Sequence, residues 1–281
     1  MSLFDVGPLL DMIRLVLQSS YVKNKKYPVS LLLIAKPESG KSASMKMFSR
    51  VKGTYTTDNI TQAVIVSKIL SMIENKGLKH LIIPDVLNVT EKDSTTKKGT
   101  MNMMKSLMEE GITSLDTFNL RTNKVYDPPI QLGIITAITS EGFHGKYDPT
   151  KGRMVGGLKH YLKVTGILSR FLPFSYKYTG DKLSKIFEFI KKEEYLEKPP
   201  KMKIKRTSKN IEGDEKLFGR LEYVSHMLGH EMGGYGFRLQ RDLQTLAKAN
   251  AMLNGRNKVI DEDIDKVLHT SRWINYDFNP L

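Results

Sequence analysis

A chain of 281 residues, 40% hydrophobic and 26% charged, is long enough for about two domains around a substantial core, which excludes a disordered or fibrous protein. Its 44 Lys and Arg against 30 Asp and Glu leave a formal charge of +14, so polyanions are the expected partners, nucleic acid first and acidic membrane surfaces second. The absence of cysteine excludes a disulfide framework, a thiolate metal site and a cysteine nucleophile, and no apolar run approaches the ~20 residues of a membrane span.

In chain order, residues 8–22 predict a helix. Within "PLLDMIRLVL", Asp11 and Arg14 stand at helical spacing, which marks an amphipathic helix rather than a signal sequence. With no cysteine, this makes the cytoplasm the expected location. Residues 30–35 read as a strand, 41–50 and 61–75 as helices, and "KHLIIPD" (79–85) as a second buried strand. "TMNMMKSLMEEG" (100–111) is helical up to a capping Gly111. "ITSLDTF" and "KVYDPP" flank the polar "NLRTN" and predict a hairpin, and "IQLGIITAIT" (130–139) is a third buried strand. The glycine-rich stretch 141–157, with Lys146, Lys151 and Arg153, reads as a flexible insertion. Near-continuous apolar strands separated by helices predict an α/β fold with a parallel or mostly parallel sheet covered on both faces, over residues 1–178. Residues 179–281 hold four helical patterns with no strand between them, a small all-helical domain. Its segment 198–210 has two prolines, six Lys or Arg and no acid, the composition of a mobile basic loop.

The chemistry concentrates at residues 35–42, Ala-Lys-Pro-Glu-Ser-Gly-Lys-Ser. A small residue, four residues, then Gly-Lys-Ser, set between an apolar strand and a helix, is the pattern of a phosphate-binding loop. The chain must leave a strand, curl so that backbone N–H groups point inward, and enter a helix whose N-terminus faces the phosphates. Pro37, Glu38, Ser39, Gly40, Lys41, Ser42 and Ala43 are the candidate cradle. Gly40 permits close approach, Lys41 supplies charge to the β- and γ-phosphates, and the Ser42 hydroxyl is offered to Mg²⁺. The expected ligands are ATP and Mg²⁺. Such a loop needs an acidic partner at a neighbouring strand end, and "HLIIPDVLNV" offers Asp85. Many ATPases carry Asp-Glu here, the Glu activating water. In this chain either Asp85 is the metal-side carboxylate with Val86 in the base position, or Pro84 holds the metal position and Asp85 stands in as base. Glu91 and Asp93 follow as possible compensating acids, and slow hydrolysis is one expectation.

The order of the remaining pieces carries a resemblance. Thr139-Ser140 ends a buried strand, "TGILSRFLPF" carries Arg170, and "FRLQRDLQTLAKANAML" followed by "VIDEDIDKVL" carries Arg241. In this order they resemble the AAA+ ATPases, closest to the minichromosome-maintenance helicases and their MoxR-like relatives, over roughly residues 8 to 270. The resemblance implies an αβα sandwich followed by a helical lid, and a ring, expected to be a hexamer. It implies Thr139, or Ser140, as the sensor of the γ-phosphate, and Arg170 as a finger reaching into a neighbour's site. Arg241, or its rival Arg238, would report nucleotide state to the lid. It also implies nucleic-acid contacts by the hairpin tip, with Arg121 and Lys124. The basic loop offers Lys203, Lys205 and Arg206 to phosphates. The function expected is an ATPase acting on DNA as motor, remodeller or loader; the rival expectations are a nucleotide-controlled switch with weak hydrolysis and a protein-remodelling chaperone. The minichromosome-maintenance helicases carry a further DNA-binding domain, which a partner would have to supply.

Overall fold

The computed structural model of the protein describes residues 6–117, 122–150, 153–192, 204–276 and 279–281. The elements are α1 (Gly7–Ser19), β1 (Leu31–Ala35), α2 (Lys41–Lys46), β2 (Thr54–Thr56) and α3 (Gln62–Val64), which continues through a π turn (Ile65–Ile69) into α4 (Leu70–Lys76). Then follow β3 (His80–Ile83), α5 (Leu87–Thr90), α6 (Ser94–Met108), β4 (Ile112–Thr117), β5 (Thr122–Ile130) and β6 (Gly133–Thr139). Next come α7 (Ser140–His144), β7 (Lys146–Asp148), β8 (Arg153–Val155), α8 (Lys159–Val164), a 3₁₀ turn (Leu168–Arg170) and β9 (Leu172–Lys177). The chain ends with α9 (Gly180–Lys191), α10 (Glu215–Glu231), α11 (Phe237–Leu253), α12 (Asp261–Ser271) and β10 (Asn279–Pro280).

The main sheet has six strands in the order β10-β9-β1-β6-β3-β2, and every pairing in it is parallel. β1 explains the layering. All five of its residues are buried, and alternate side chains face opposite ways. Leu31, Leu33 and Ala35 join a core with α1, α11 and α12, while Leu32 and Ile34 join one with the π turn, α6 and the residues Leu81, Ile83, Ile134 and Ile138 of β3 and β6. The helical C-terminal part thus shares its apolar core with α1 and one sheet face.

Several expectations need correction. The helix expected over 41–50 stops at Lys46; successive i→i−3 bonds, from Phe48 to Met45 and Ser49 to Lys46, tighten the chain into turns. Within the 141–157 stretch, expected as a flexible insertion, the described residues complete α7 and form the paired antiparallel strands β7 and β8. Gly145 (φ 91°) lets the two arms meet, since a Cβ there would lie 2.5 Å from the Val155 carbonyl. The described part of the basic loop, 204–210, is pinned rather than mobile. Gln18 exchanges two hydrogen bonds with the Lys205 backbone, and Lys209 pairs with Tyr21 and Lys23. The C-terminal part is not wholly helical, because β10 returns to pair with β9. β9 itself was hidden by Pro173, which sits where β9 has β1 on one side and the described β10 does not yet reach.

Candidate functional site

Residues 36–40 leave β1 at its C-terminal end and turn into α2. Glu38 (φ 60°) and Gly40 (φ 82°) both lie in the left-handed region, costly for Glu38 and free for Gly40. Two tyrosines hold the turn in that shape. The buried Tyr176 hydroxyl donates to the Ser39 carbonyl at 3.0 Å, and the Tyr178 hydroxyl donates to the same oxygen at 2.6 Å. Burial pushes the Tyr178 hydroxyl up to about 12, so it remains a donor throughout the physiological range. Lys41 is buried and donates to the carbonyls of Ala35 (2.9 Å) and Lys36 (2.7 Å) and to Ser39 Oγ (3.1 Å). Desolvation lowers its ammonium to about 8, against the opposing pull of Asp85. Pro37, Glu38 and Ser42 are exposed and Ala43 is half-buried. Because α2 has only six residues, its dipole adds little, and the turn's backbone N–H groups and Lys41 carry the attraction for an anion.

The neighbouring strand ends converge on this turn. Thr139, the last residue of β6, lies opposite Ala35 in the parallel register, and its Oγ accepts the Gly142 N–H at 3.0 Å, capping α7. Asp85 follows β3, with its Oδ1 accepting the Leu87 N–H at 2.9 Å. The Val86 N–H bonds to the Ala137 carbonyl of β6, which draws this segment toward β1. Burial raises the Asp85 carboxyl, opposed by the Leu87 N–H and by Lys41. The structure therefore places Lys41, Asp85 and Thr139 at the same end of the sheet. Of the two compensating acids, Asp93 caps α6 by accepting the Thr96 N–H, whereas the exposed Glu91 acts on Asp85 through space.

Beside the turn lies a cleft of about 660 Å³, whose far wall is the apolar face of α9. Leu183, Ile186, Phe187 and Ile190 stand at i, i+3, i+4 and i+7, and Phe187 is 68% exposed. The helical pattern of α9 is legible in the sequence, but not that this face borders the Pro37–Ala43 turn. Nor does the sequence single out Tyr176 and Tyr178.

The predicted arginines lie elsewhere. Arg170 ends the 3₁₀ turn at the entry to β9, and Arg238 and Arg241 begin α11 beside the same strand entry. Since β9 and β1 are parallel, these groups sit at the opposite end of the sheet from Lys41, separated by the five-residue length of β1, about 16 Å. Glu109, at the end of α6, binds both Arg170 (3.2 Å) and Arg238 (2.6 Å). Arg170 also donates to the Gly166 carbonyl at 2.7 Å, and Arg238 to Ser169 O and Oγ at 2.6 and 2.8 Å. Arg241 is exposed at the mouth of a second cleft, of about 400 Å³. Ser140 opens α7 next to Thr139.

Among the nucleic-acid candidates, Lys124 pairs with Glu74 at 3.2 Å, and Lys205 and Arg206 are exposed on the pinned segment. Arg121 and Lys203 lie outside the described residues. Among the described residues no three His, Asp or Glu side chains converge as a metal site, and no helix is long and apolar enough to cross a membrane. No protein-family model matches the sequence, and no curated protein matches it.

Proposed function

We propose that the chain is an ATP-binding phosphate-loop protein of AAA+ type that couples nucleotide binding, and slow hydrolysis, to action on nucleic acid. The observation that carries this reading is the meeting, at the C-terminal ends of adjacent parallel strands, of the Pro37–Ala43 turn, Lys41, Asp85 and Thr139. Ligands of open parallel sheets sit at that end of the strands. A triphosphate would take the Lys41 ammonium away from the Ala35 and Lys36 carbonyls and onto its β- and γ-oxygens. Ser42 and Asp85 are suited to Mg²⁺, which neutralises phosphate charge and needs only one or two protein oxygens when phosphates and water fill the rest of its shell. The α9 face and its Phe187 supply an apolar wall for the base.

Two features support slow turnover. Asp85 is followed by the buried Val86, and Glu91 is the one nearby acid, of the two expected, whose carboxylate is not used as a cap. These same features favour a second reading, a nucleotide-controlled switch. Arg170 and Arg241 lie far from their own chain's Lys41, so a role for either at a phosphate requires a second copy, as in a ring. The charge of +14 supports a DNA partner over the protein substrate of a MoxR-like chaperone. An ATPase assay with and without single- and double-stranded DNA tests the proposal. Magnesium-dependent hydrolysis abolished by Lys41→Ala and Asp85→Ala is expected; binding without turnover selects the switch, and no binding removes both readings.

A further inference from the structure

The turn between α10 and α11 and the first residue of α11 present two aromatic rings to solvent. Tyr235 is 82% exposed and Phe237 68%, and their rings stack at 5.7 Å with an interplanar angle of 17°. Exposed aromatics normally accompany loose loops, but this turn is rigidly built. A Cβ on Gly229 would lie 2.4 Å from Gly236 Cα, and one on Gly236 would lie 2.2 Å from the Ser225 carbonyl. The backbones of turn and helix α10 are therefore in direct contact, fixed further by the Gly234 N–H to Gly229 carbonyl bond of 2.8 Å. Gly233 and Gly236 take positive φ values that permit the path. The fold holds these rings out on a firm support.

The pair forms a ridge between two clefts, of about 400 and about 460 Å³, each lined by both rings. The first cleft carries two exposed cations, Lys163 and Arg241, that make no ion pair with another described residue. Its acids are accounted for: Glu109 is committed to Arg170 and Arg238, and Asp242 is buried at the floor. The second cleft is bordered by Tyr223, 72% exposed, and by His226 and Glu222.

The geometry points to this ridge as a binding platform for single-stranded nucleic acid, with bases stacking on Tyr235, Phe237 and Tyr223 and the backbone phosphates meeting Lys163 and Arg241. Aromatic faces accept any base, and a groove with free cations tracks the phosphates, which together define a sequence-tolerant single-strand site. Charge favours this occupant, because a chain of +14 that leaves Lys163 and Arg241 without ion pairs among the described residues at the cleft suits a polyanion. The platform is separate from its own chain's Lys41 cleft, and Tyr235, Phe237, Tyr223 and Lys163 have no part in the nucleotide reading, so the platform goes beyond that reading; Arg241 is the one residue the two share.

Fluorescence anisotropy with a labelled oligo-dT tests it. The Tyr235→Ala/Phe237→Ala variant should bind roughly tenfold or more weakly, as expected for the loss of base stacking, while Tyr235→Phe binds like the parent. Lys163→Gln and Arg241→Gln should each reduce the slope of log affinity against log salt by about 0.7. Thermal melting and MgATP binding of the double variant should match the parent, since both rings are exposed and distant from Lys41. Parent-like oligo-dT affinity in the double variant overturns the proposal. So does a loss of self-association with affinity unchanged, which would make the ridge a contact between copies.

Discussion

Replacing Asp242 by Asn should remove a pH dependence from the stability of this fold. Asp242 is 5% exposed on α11, and its Oδ1 has no hydrogen-bond partner among the described residues. The charged and titratable groups acting on it are Glu109 from α6, and Arg238 and Arg241 from its own helix; Tyr27, ahead of β1, is coupled to the same cluster. Burial dominates and Glu109 adds to it, outweighing the two arginines, so the carboxyl rises from 3.8 to about 8. Between those values the folded chain holds a proton that the unfolded chain has released. Stability from this group is complete below the unfolded value and falls with rising pH, by up to about 1.4 kcal/mol per pH unit, until the folded value is passed. From about pH 5 to about pH 7 the parent should therefore lose about 2–3 kcal/mol relative to Asp242→Asn, which for a chain of this size is roughly 5–10 °C of Tm. Calorimetric or circular-dichroism melting of both proteins at constant ionic strength measures it. A difference between the two that is constant with pH, or a parent that gains stability relative to Asp242→Asn as pH rises, refutes the reasoning.

Two further outcomes follow from the proposed nucleotide site and the arginines. Because burial raises the Asp85 carboxyl, magnesium-dependent nucleotide binding should weaken on acidification at a higher pH than an ordinary aspartate would give, and Asp85→Asn should be weak at every pH; a parent profile that is flat down to about pH 4 contradicts this. Sedimentation with MgATP should show a larger species than without it if Arg170 acts on a second copy, and Arg170→Ala should retain binding while losing ~10³-fold or more in turnover. A monomer under all conditions removes the role in trans.

What the sequence discloses follows from how local each determinant is. The strands β1, β3 and β6 are readable because interior parallel strands are apolar on both faces, and the Pro37–Ala43 turn is readable because its chemistry lies within one short segment. β9 is hidden by its proline and by the polar Ser175, which is buried but satisfied by the Trp273 carbonyl and the Asn275 side chain. The two tyrosines that fix the turn act on Ser39 from 137 and 139 residues away, a relation no local pattern encodes. Glu109 is the clearest omission. It ends an ordinary helix, yet it binds both of the arginines that approach it, Arg170 and Arg238, and the order of motifs that links Arg170 and Arg241 to the phosphate loop is silent about which end of the sheet they occupy. Chain order located the elements; only the parallel register showed that Lys41 and Arg170 stand at opposite ends.

The central claim is that the turn around Lys41 holds a nucleotide triphosphate. Isothermal titration of MgATP into the parent chain and into Lys41→Ala tests it without requiring turnover. Saturable one-site binding to the parent, weakened at least ~100-fold in the variant by loss of a charge-assisted phosphate contact, is the predicted result. Equal affinity in the two proteins, or none in the parent, contradicts the account.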